Sequence, residues 1–141
     1  MINLTQMSSR KNAYQKGAQS ERGLIHRLER YGFICFRTAG SGKHGKIDVI
    51  CIKNGKTILF DVKARFYTFE VCYENEYLKY LKEIYEKHRV DVYLAIYLRY
   101  YGKYFLFHIK DVQLSNTSFT CFYSGYIREK GIPIDTFILM Y

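Results

Sequence analysis

The chain has 141 residues, 48% of them hydrophobic, and 22 lysines and arginines against 13 acids give it a formal net charge of +9. This length suits one domain that buries a core, and the composition excludes a disordered chain. No apolar run approaches the ~20 residues that cross a bilayer, and residues 1–17 lack the apolar stretch of a signal peptide. We therefore expect a soluble cytoplasmic protein with no membrane partner. The excess positive charge favours a polyanionic partner such as DNA.

The first predicted element is a helix over residues 13–31, preceded by a flexible basic arm over residues 1–12. Apolar residues recur on it at helical spacing, and Gly32 ends it. The residues at this spacing are Leu24, Ile25, Leu28 and Tyr31, and the predicted apolar face contains Ala18, Leu24, Ile25 and Leu28. Glu21 shares their face, because positions three, four and seven apart are neighbours on a helix. A carboxylate there is costly unless it is paired or binds a metal, so Glu21 either pairs with an arginine at the edge of the face or serves a site.

Residues 33–37 are predicted to form a strand that leads into a glycine-rich loop over residues 38–46. Such a loop suits a close approach to phosphate, although it has no Walker pattern. Basic residues cluster in this half of the chain and precede Asp48, which raises the expectation of a nucleic-acid surface. They include Lys16, Arg22, Arg37, Lys43 and Lys46.

A hairpin follows, with Asn54-Gly55 as its two-residue turn, because both residues tolerate the positive φ of a type I′ turn. Pairing outward from this turn brings Asp48 opposite Asp61, and Lys63 falls on the same face. Each residue alone also fits an ordinary structural role, and a register shift of one residue would separate the acids. Together, two carboxylates and an amine at one end of an apolar hairpin indicate a site for a hard divalent ion such as Mg²⁺.

Beyond the hairpin, residues 74–89 show the spacing of an amphipathic helix, with inward residues that include Tyr77, and residues 90–99 and 104–109 read as strands. An edge strand at 118–127 and a short helix at 134–141 complete the prediction. This order predicts an α/β domain with a central mixed sheet flanked by helices.

The four cysteines are widely spaced and contain no C-x-x-C pair; they are Cys35, Cys51, Cys72 and Cys121. Three of them lie within apolar segments. The pattern favours buried free thiols over disulfides or a zinc site.

Three separated segments carry a family resemblance: KGAQSERGLIHRLERYGF, RTAGSGKHGKIDVI and NGKTILFDVKA. With Glu21, Asp48 and Asp61-x-Lys63 they resemble the PD-(D/E)XK nucleases and, among these, the archaeal Holliday junction resolvases of the Hjc type. The resemblance runs from about residue 16 to the second helix, and more loosely to residue 111. Residues 112–141 are a divergent C-terminal segment of the single nuclease domain.

The resemblance implies a restriction-endonuclease-like core that works as a homodimer and cleaves four-way DNA junctions with Mg²⁺, or with Mn²⁺ as a substitute. It implies that three acids and the carbonyl oxygen of Val62 hold the metal, and that Lys63 orients or deprotonates the attacking water. The acids are Glu21, Asp48 and Asp61. Among the residues expected to contact phosphate near the cut are Arg22, Arg37 and Ser41, and the lysines Lys16, Lys43 and Lys46 would bind DNA.

The sequence departs from the family pattern at Asp61, where a glutamate is usual, and in extra residues in the loop after residue 39. Two other interpretations stay open. One is a nuclease for other branched or linear DNA, and the other is a catalytically inactive DNA-binding module. The intact acids and lysine speak against the inactive module.

Overall fold

The structure is a computed structural model that describes residues 4–38, 47–66 and 70–141, with side chains described from residue 17 onward. Its elements, in chain order, are α1 (Leu4–Glu29), β1 (Ile34–Arg37), β2 (Val49–Lys53), β3 (Lys56–Arg65), β4 (Glu70–Glu74), α2 (Asn75–His88), β5 (Asp91–Leu98), β6 (Lys103–His108), β7 (Phe119–Tyr123), α3 (Ser124–Lys130), β8 (Ile132–Pro133) and α4 (Ile134–Leu139). None of the helices in these ranges is long and apolar enough to span a bilayer.

Six strands form the central sheet, in the order β1-β2-β3-β5-β6-β8. Strands β3 and β5 run parallel, whereas the other neighbours are antiparallel, so the predicted mixed sheet is confirmed. The parallel pair needs a crossover, which β4 and α2 provide. Strand β4 was not predicted, and it pairs with β7 in a separate two-stranded sheet.

Strand β5 of the central sheet is buried on both faces, which explains its continuous apolar run. Leu94 packs in one cluster with Leu78 of α2, and its neighbour Tyr93 packs in another with Leu24 of α1. Alternate residues of a strand point to opposite faces, so one strand serves both clusters. Each fully buried leucine contributes about 1.5–3 kcal/mol relative to exposure.

Helix α1 is longer than predicted at its start and shorter at its end. It begins at Leu4, so residues 4–12 are helical where the sequence suggested a flexible arm. Gly32 takes a positive φ of 88° just beyond the helix, as a stop residue does. Tyr31, predicted to lie within the helix, follows the last helical residue, Glu29, and is 53% exposed.

The hairpin register matches the prediction, from Lys53 opposite Lys56 to Val49 opposite Phe60. Its turn has positive φ at both residues, 50° at Asn54 and 77° at Gly55, which is the type I′ requirement. The ladder ends at the Val49 pair, one step before the two aspartates.

The remaining predicted elements are confirmed within a few residues, except that α3 takes the second half of the predicted edge strand. The tail folds back onto the α1 side of the sheet, where Phe137 is completely buried.

The prediction of free thiols is wrong, because the structure contains two disulfides. Cys35 and Cys51 are directly opposed in the β1–β2 ladder, and Cys72 and Cys121 in the β4–β7 ladder. The Cα atoms are 4.1 Å apart in each pair. The partners are 16 and 49 residues apart in the sequence, so only strand pairing brings them together.

Candidate active site

A cavity of about 380 Å³ opens where the hairpin meets α2 and the β4–β7 sheet. Four of its lining residues belong to the predicted site and four come from β4, α2 and β7. They are Asp48, Asp61, Val62 and Lys63, and Cys72, Glu74, Tyr77 and Phe119. The structure therefore brings both predicted aspartates and the lysine to one cavity.

Asp48 lies just beyond the last residue pair of the β2–β3 ladder, where its side chain bonds to β3. Its backbone N–H donates to the carbonyl of Phe60 at 2.9 Å, and its own carbonyl accepts from the N–H of Thr38 at 3.0 Å. Its Oδ2 accepts a hydrogen bond from the backbone N–H of Val62 at 2.7 Å. The carboxylate thus takes the place of a main-chain acceptor and is held against the strand that carries Asp61.

Burial raises the pKa of Asp48 to about 7, and the negative charges of Asp61 and Glu21 act in the same direction. The hydrogen bond from Val62 and the positive charge of Lys63 oppose this shift only in part. Carboxylates gathered beside a single lysine form a site with too little positive charge. A divalent cation would supply that charge.

Asp61 lies on the central strand β3 and is only 4% exposed. Its Oδ1 accepts a hydrogen bond from the hydroxyl of Tyr77 on α2 at 2.9 Å. Burial and the charge of Asp61 raise the pKa of Tyr77, so the tyrosine stays protonated as a donor. The sequence identified Tyr77 only as an inward residue of a helix. Its phenolic hydroxyl was a sequence signal for a buried hydrogen bond, since a buried tyrosine hydroxyl usually finds a partner.

Tyr73 of β4 packs against Lys63, although it is not among the residues that line the cavity. The Nζ atom of Lys63 lies 5.1 Å from the centroid of the Tyr73 ring, within range of a cation–π contact. The Tyr73 hydroxyl is buried and has no hydrogen-bond partner among the described residues. Burial and the charge of Asp61 raise the pKa of Tyr73. Lys63 is thus held over an aromatic ring beside the two carboxylates.

Glu21 borders this site without lining the cavity. Its Oε2 accepts from Nε of Arg37 at 2.8 Å, and its side chain is 18% exposed. This is the arginine pair that the sequence left open, although Glu21 is near enough to influence the pKa of Asp48. Arg37, expected to contact phosphate, is bound to this carboxylate.

The three predicted acids do not come together as tightly as a bound metal would require. Among the described residues, the acids and cysteines whose ligand atoms all lie within 4.8 Å of one another are Glu70, Cys72 and Cys121. Two of these are joined in a disulfide. To act as a ligand, Glu21 would have to move its carboxylate or offer Oε1, the oxygen not bonded to Arg37.

Other predicted DNA contacts are only partly described. Arg22 is exposed on α1 next to Glu21. Lys16 lies on the same helix, but its side chain is outside the described part. Ser41, Lys43 and Lys46 lie outside the described residues altogether.

The donors that border the cavity fit a hard divalent cation. Asp48 and Asp61 offer carboxylate oxygens and Val62 offers a carbonyl, which are the ligand types that Mg²⁺ takes. Asp48 and Asp61 also place two carboxylates beside a single lysine, Lys63, at this cavity.

Comparison with known proteins identifies the family of this chain. A family model described as archaeal Holliday junction resolvase (Hjc) matches residues 12–140. The crossover junction endodeoxyribonuclease Hjc of Sulfolobus acidocaldarius is 32% identical over 83 residues, which span 57% of this chain and 58% of that protein. The family match continues beyond residue 111 and takes in most of the C-terminal segment.

A solved structure supports the same fold. The Holliday junction resolvase Hjc of Archaeoglobus fulgidus superimposes with a TM-score of 0.72 at 18% identity, covering 86% of this chain and 99% of that one. Because the family match spans nearly all of the sequence and the fold agrees with it, this chain belongs to the family of archaeal Holliday junction resolvases of the Hjc type.

Proposed function

We propose that this protein is a Mg²⁺-dependent endodeoxyribonuclease that cleaves four-way DNA junctions as a homodimer during recombination and repair, with Mn²⁺ as a substitute metal. One observation carries the proposal: Asp48, Asp61 and Lys63 border a single cavity in a member of this family. The metal would be held by Asp48, Asp61 and the Val62 carbonyl, with Glu21 joining after a local rearrangement.

The residues of the cavity suit hydrolysis of a phosphodiester. A divalent cation, when bound, would neutralise phosphate charge and make water more acidic. Lys63 carries an ammonium group beside the carboxylates, where it stabilises negative charge that develops on the phosphate oxygens. Tyr77 holds the carboxylate of Asp61 by its hydroxyl, so that this ligand is oriented before DNA arrives.

The charge of the chain suits the proposed substrate. A net charge of +9 on a small domain attracts the DNA backbone without regard to sequence. Selection of a junction over a duplex would come from the shape of the branched DNA and the spacing of two active sites in a dimer.

The test compares Asp61→Asn and Asp61→Ala with the wild type on a synthetic four-way junction, with Asp135→Asn of α4 as a control on an exposed acid. The wild type should cut with Mg²⁺ and stop with EDTA. Both Asp61 variants should lower the cleavage rate by about a hundredfold or more, since they weaken charge stabilisation at the reacting phosphate. Their affinity for the junction should change little, and the control should cleave normally.

Other results would contradict the proposal or favour a different function. Equal loss of binding and cleavage in both Asp61 variants would make Asp61 a structural residue, and cutting that survives EDTA would contradict the metal mechanism. Equal cleavage of linear duplex competitor would indicate a general nuclease. Tight binding with no cleavage under Mg²⁺ or Mn²⁺ would indicate an inactive DNA-binding module.

A further inference from the structure

A second cleft, of about 340 Å³, lies on the α1 side of the sheet where β5 turns into β6. Two guanidinium groups, two phenol rings and an amide line it, and none of its described lining residues carries a carboxylate. The side chains concerned are Arg27, Arg99, Tyr97, Tyr104 and Gln19. A concave site with two positive charges and no acid among its described lining residues suits an anion.

Arg27 is held in a defined position within this cleft. Its guanidinium carbon lies 4.8 Å from the ring centroid of Tyr104 and 5.6 Å from that of Tyr97. Its Nη2 donates to the carbonyl of Gly102 at 3.3 Å. A guanidinium has five N–H donors in a rigid fork, so this bond engages one of them. A stacked arginine loses less freedom when it binds a ligand.

Helix α1 forms the wall of the cleft that faces β6, and its position depends on close contact with Tyr104. The hydroxyl of Tyr104 donates to the carbonyl of Ser20. A Cβ atom on Gly23 would lie 2.6 Å from the phenolic oxygen of Tyr104, so a larger residue there would push the helix away. This glycine therefore permits the approach that shapes the cleft.

Residues of the cleft are close in sequence to residues of the candidate active site, or bond to their neighbours. Ser20, which lines it, directly precedes Glu21 on α1. The backbone N–H of Arg99 donates to the carbonyl of Arg65 at 2.9 Å, and Arg65 is two residues beyond Lys63 on β3. Both sites thus lie toward the same ends of the parallel strands β3 and β5, on opposite sides of the sheet.

We propose that this cleft binds a backbone phosphate of the DNA substrate, away from the phosphate that is cut. The inference rests on the proposed function for the identity of the ligand. Arg27 supplies a planar fork that can engage two phosphate oxygens, and Arg99 adds a second charge. The contact would anchor the DNA without reading its sequence, because phosphates carry none.

The experiment measures how affinity for a four-way junction falls with salt, in EDTA so that nothing is cut. The variants are Arg99→Gln and Arg27→Gln/Arg99→Gln. The control, Arg89→Gln/Lys110→Gln, removes the same charge from exposed positions at the other end of the β5–β6 hairpin. The slope of log K against log salt should become less negative by about 0.9 for one lost phosphate contact in the cleft variants, and should not change in the control.

Equal slopes in the double variant and its control would overturn the proposal. Circular dichroism checks folding, and if the double variant is unfolded, Arg99→Gln alone decides. The same slopes are measured on linear duplex, so the cleft is tested even if junction selectivity fails. Suppose that the cleft variants change the slope as expected but the wild type cuts no DNA when Mg²⁺ is present. That result would contradict the proposed function and still support phosphate binding in the cleft. Absence of any DNA binding would overturn both.

Discussion

The arrangement of the active-site cavity depends on single polar atoms placed on apolar elements. The sequence predicted the meeting of Asp48, Asp61 and Lys63, because the period of two in a strand and the fixed turn leave one arrangement. It did not predict the hydrogen bond from Tyr77. Helical periodicity shows that this side chain points inward, but it does not show which group its hydroxyl meets across a crossover. The same holds for Tyr73, which lies on a strand that the sequence did not reveal.

Tyr77→Phe keeps the ring in the core and removes the donor to Asp61. We expect the free energy of unfolding to fall by about 1–3 kcal/mol, because a buried acceptor loses its bond. We also expect the cleavage rate at saturating junction to fall more than KM changes, since Asp61 would lose its orientation. Urea unfolding and steady-state cleavage measure the two effects.

Tyr85→Phe is the matched control, because Tyr85 lies on the same helix and does not line the cavity. Its ring packs against that of His108, with 4.7 Å between the ring centroids. If both variants behave alike, the Tyr77 hydroxyl has no special part in the site.

The raised pKa of Asp48 predicts a dependence of stability on pH in metal-free protein. The group titrates near 3.8 in the unfolded chain and at about 7 in the fold. Between these values the folded state holds the extra proton, so stability falls as pH rises through the window and is lowest, for this group, above pH 7. One pKa unit corresponds to about 1.4 kcal/mol, and screening at a carboxyl partly reached by solvent reduces the total to roughly 2 kcal/mol.

Asp48→Asn removes this titration and still offers an oxygen to the N–H of Val62. Relative to the wild type in EDTA, the variant should gain stability between pH 5 and pH 7.5. Urea unfolding at the two values measures the difference. An unchanged difference would mean that Asp48 is already ionised at pH 5 in the fold.

At the scale of elements, local rules predicted most of the chain. The Asn54-Gly55 turn, the amphipathic spacing of α2 and the stop at Gly32 each depend on neighbours in the sequence, and each is present. The two disulfides depend on strand pairing instead. Cys72 and Cys121 are opposed only because β4 meets β7 across 49 residues, which no local pattern records.

Removal of Cys72–Cys121 should destabilise the protein more than removal of Cys35–Cys51. A cross-link stabilises by restricting the unfolded chain, by about 4 kcal/mol for the longer loop and about 3 kcal/mol for the shorter one. The β4–β7 sheet also has only two strands, and such a sheet is marginal alone. Urea unfolding of Cys72→Ser/Cys121→Ser and Cys35→Ser/Cys51→Ser without reductant should give this order.

Added reductant should bring the wild type below both variants, because it opens both loops. A wild type that is indifferent to reductant, with titratable thiols in its absence, would show that the cysteines are free.

At the scale of the whole molecule, the sequence predicted the class of fold but not its strand order. The apolar run over residues 90–99 predicted a strand, without naming β3 and β6 as its neighbours. The parallel pairing of β3 and β5 joins segments separated by β4 and α2, and its energy comes from packing that periodicity does not reveal. Neither the residue patterns nor the family resemblance named this strand order in advance.

The crossover between β3 and β5 also fixes when the candidate active site can first form during synthesis. Asp61 leaves the ribosome before Tyr77, and β3 gains its parallel neighbour only after α2 and β5 have been synthesised. Non-local pairings of this kind form slowly in folding. A nascent chain that ends within α2 therefore carries Asp48, Asp61 and Lys63 without the complete cavity that these residues border, so an incomplete translation product should lack the proposed nuclease activity.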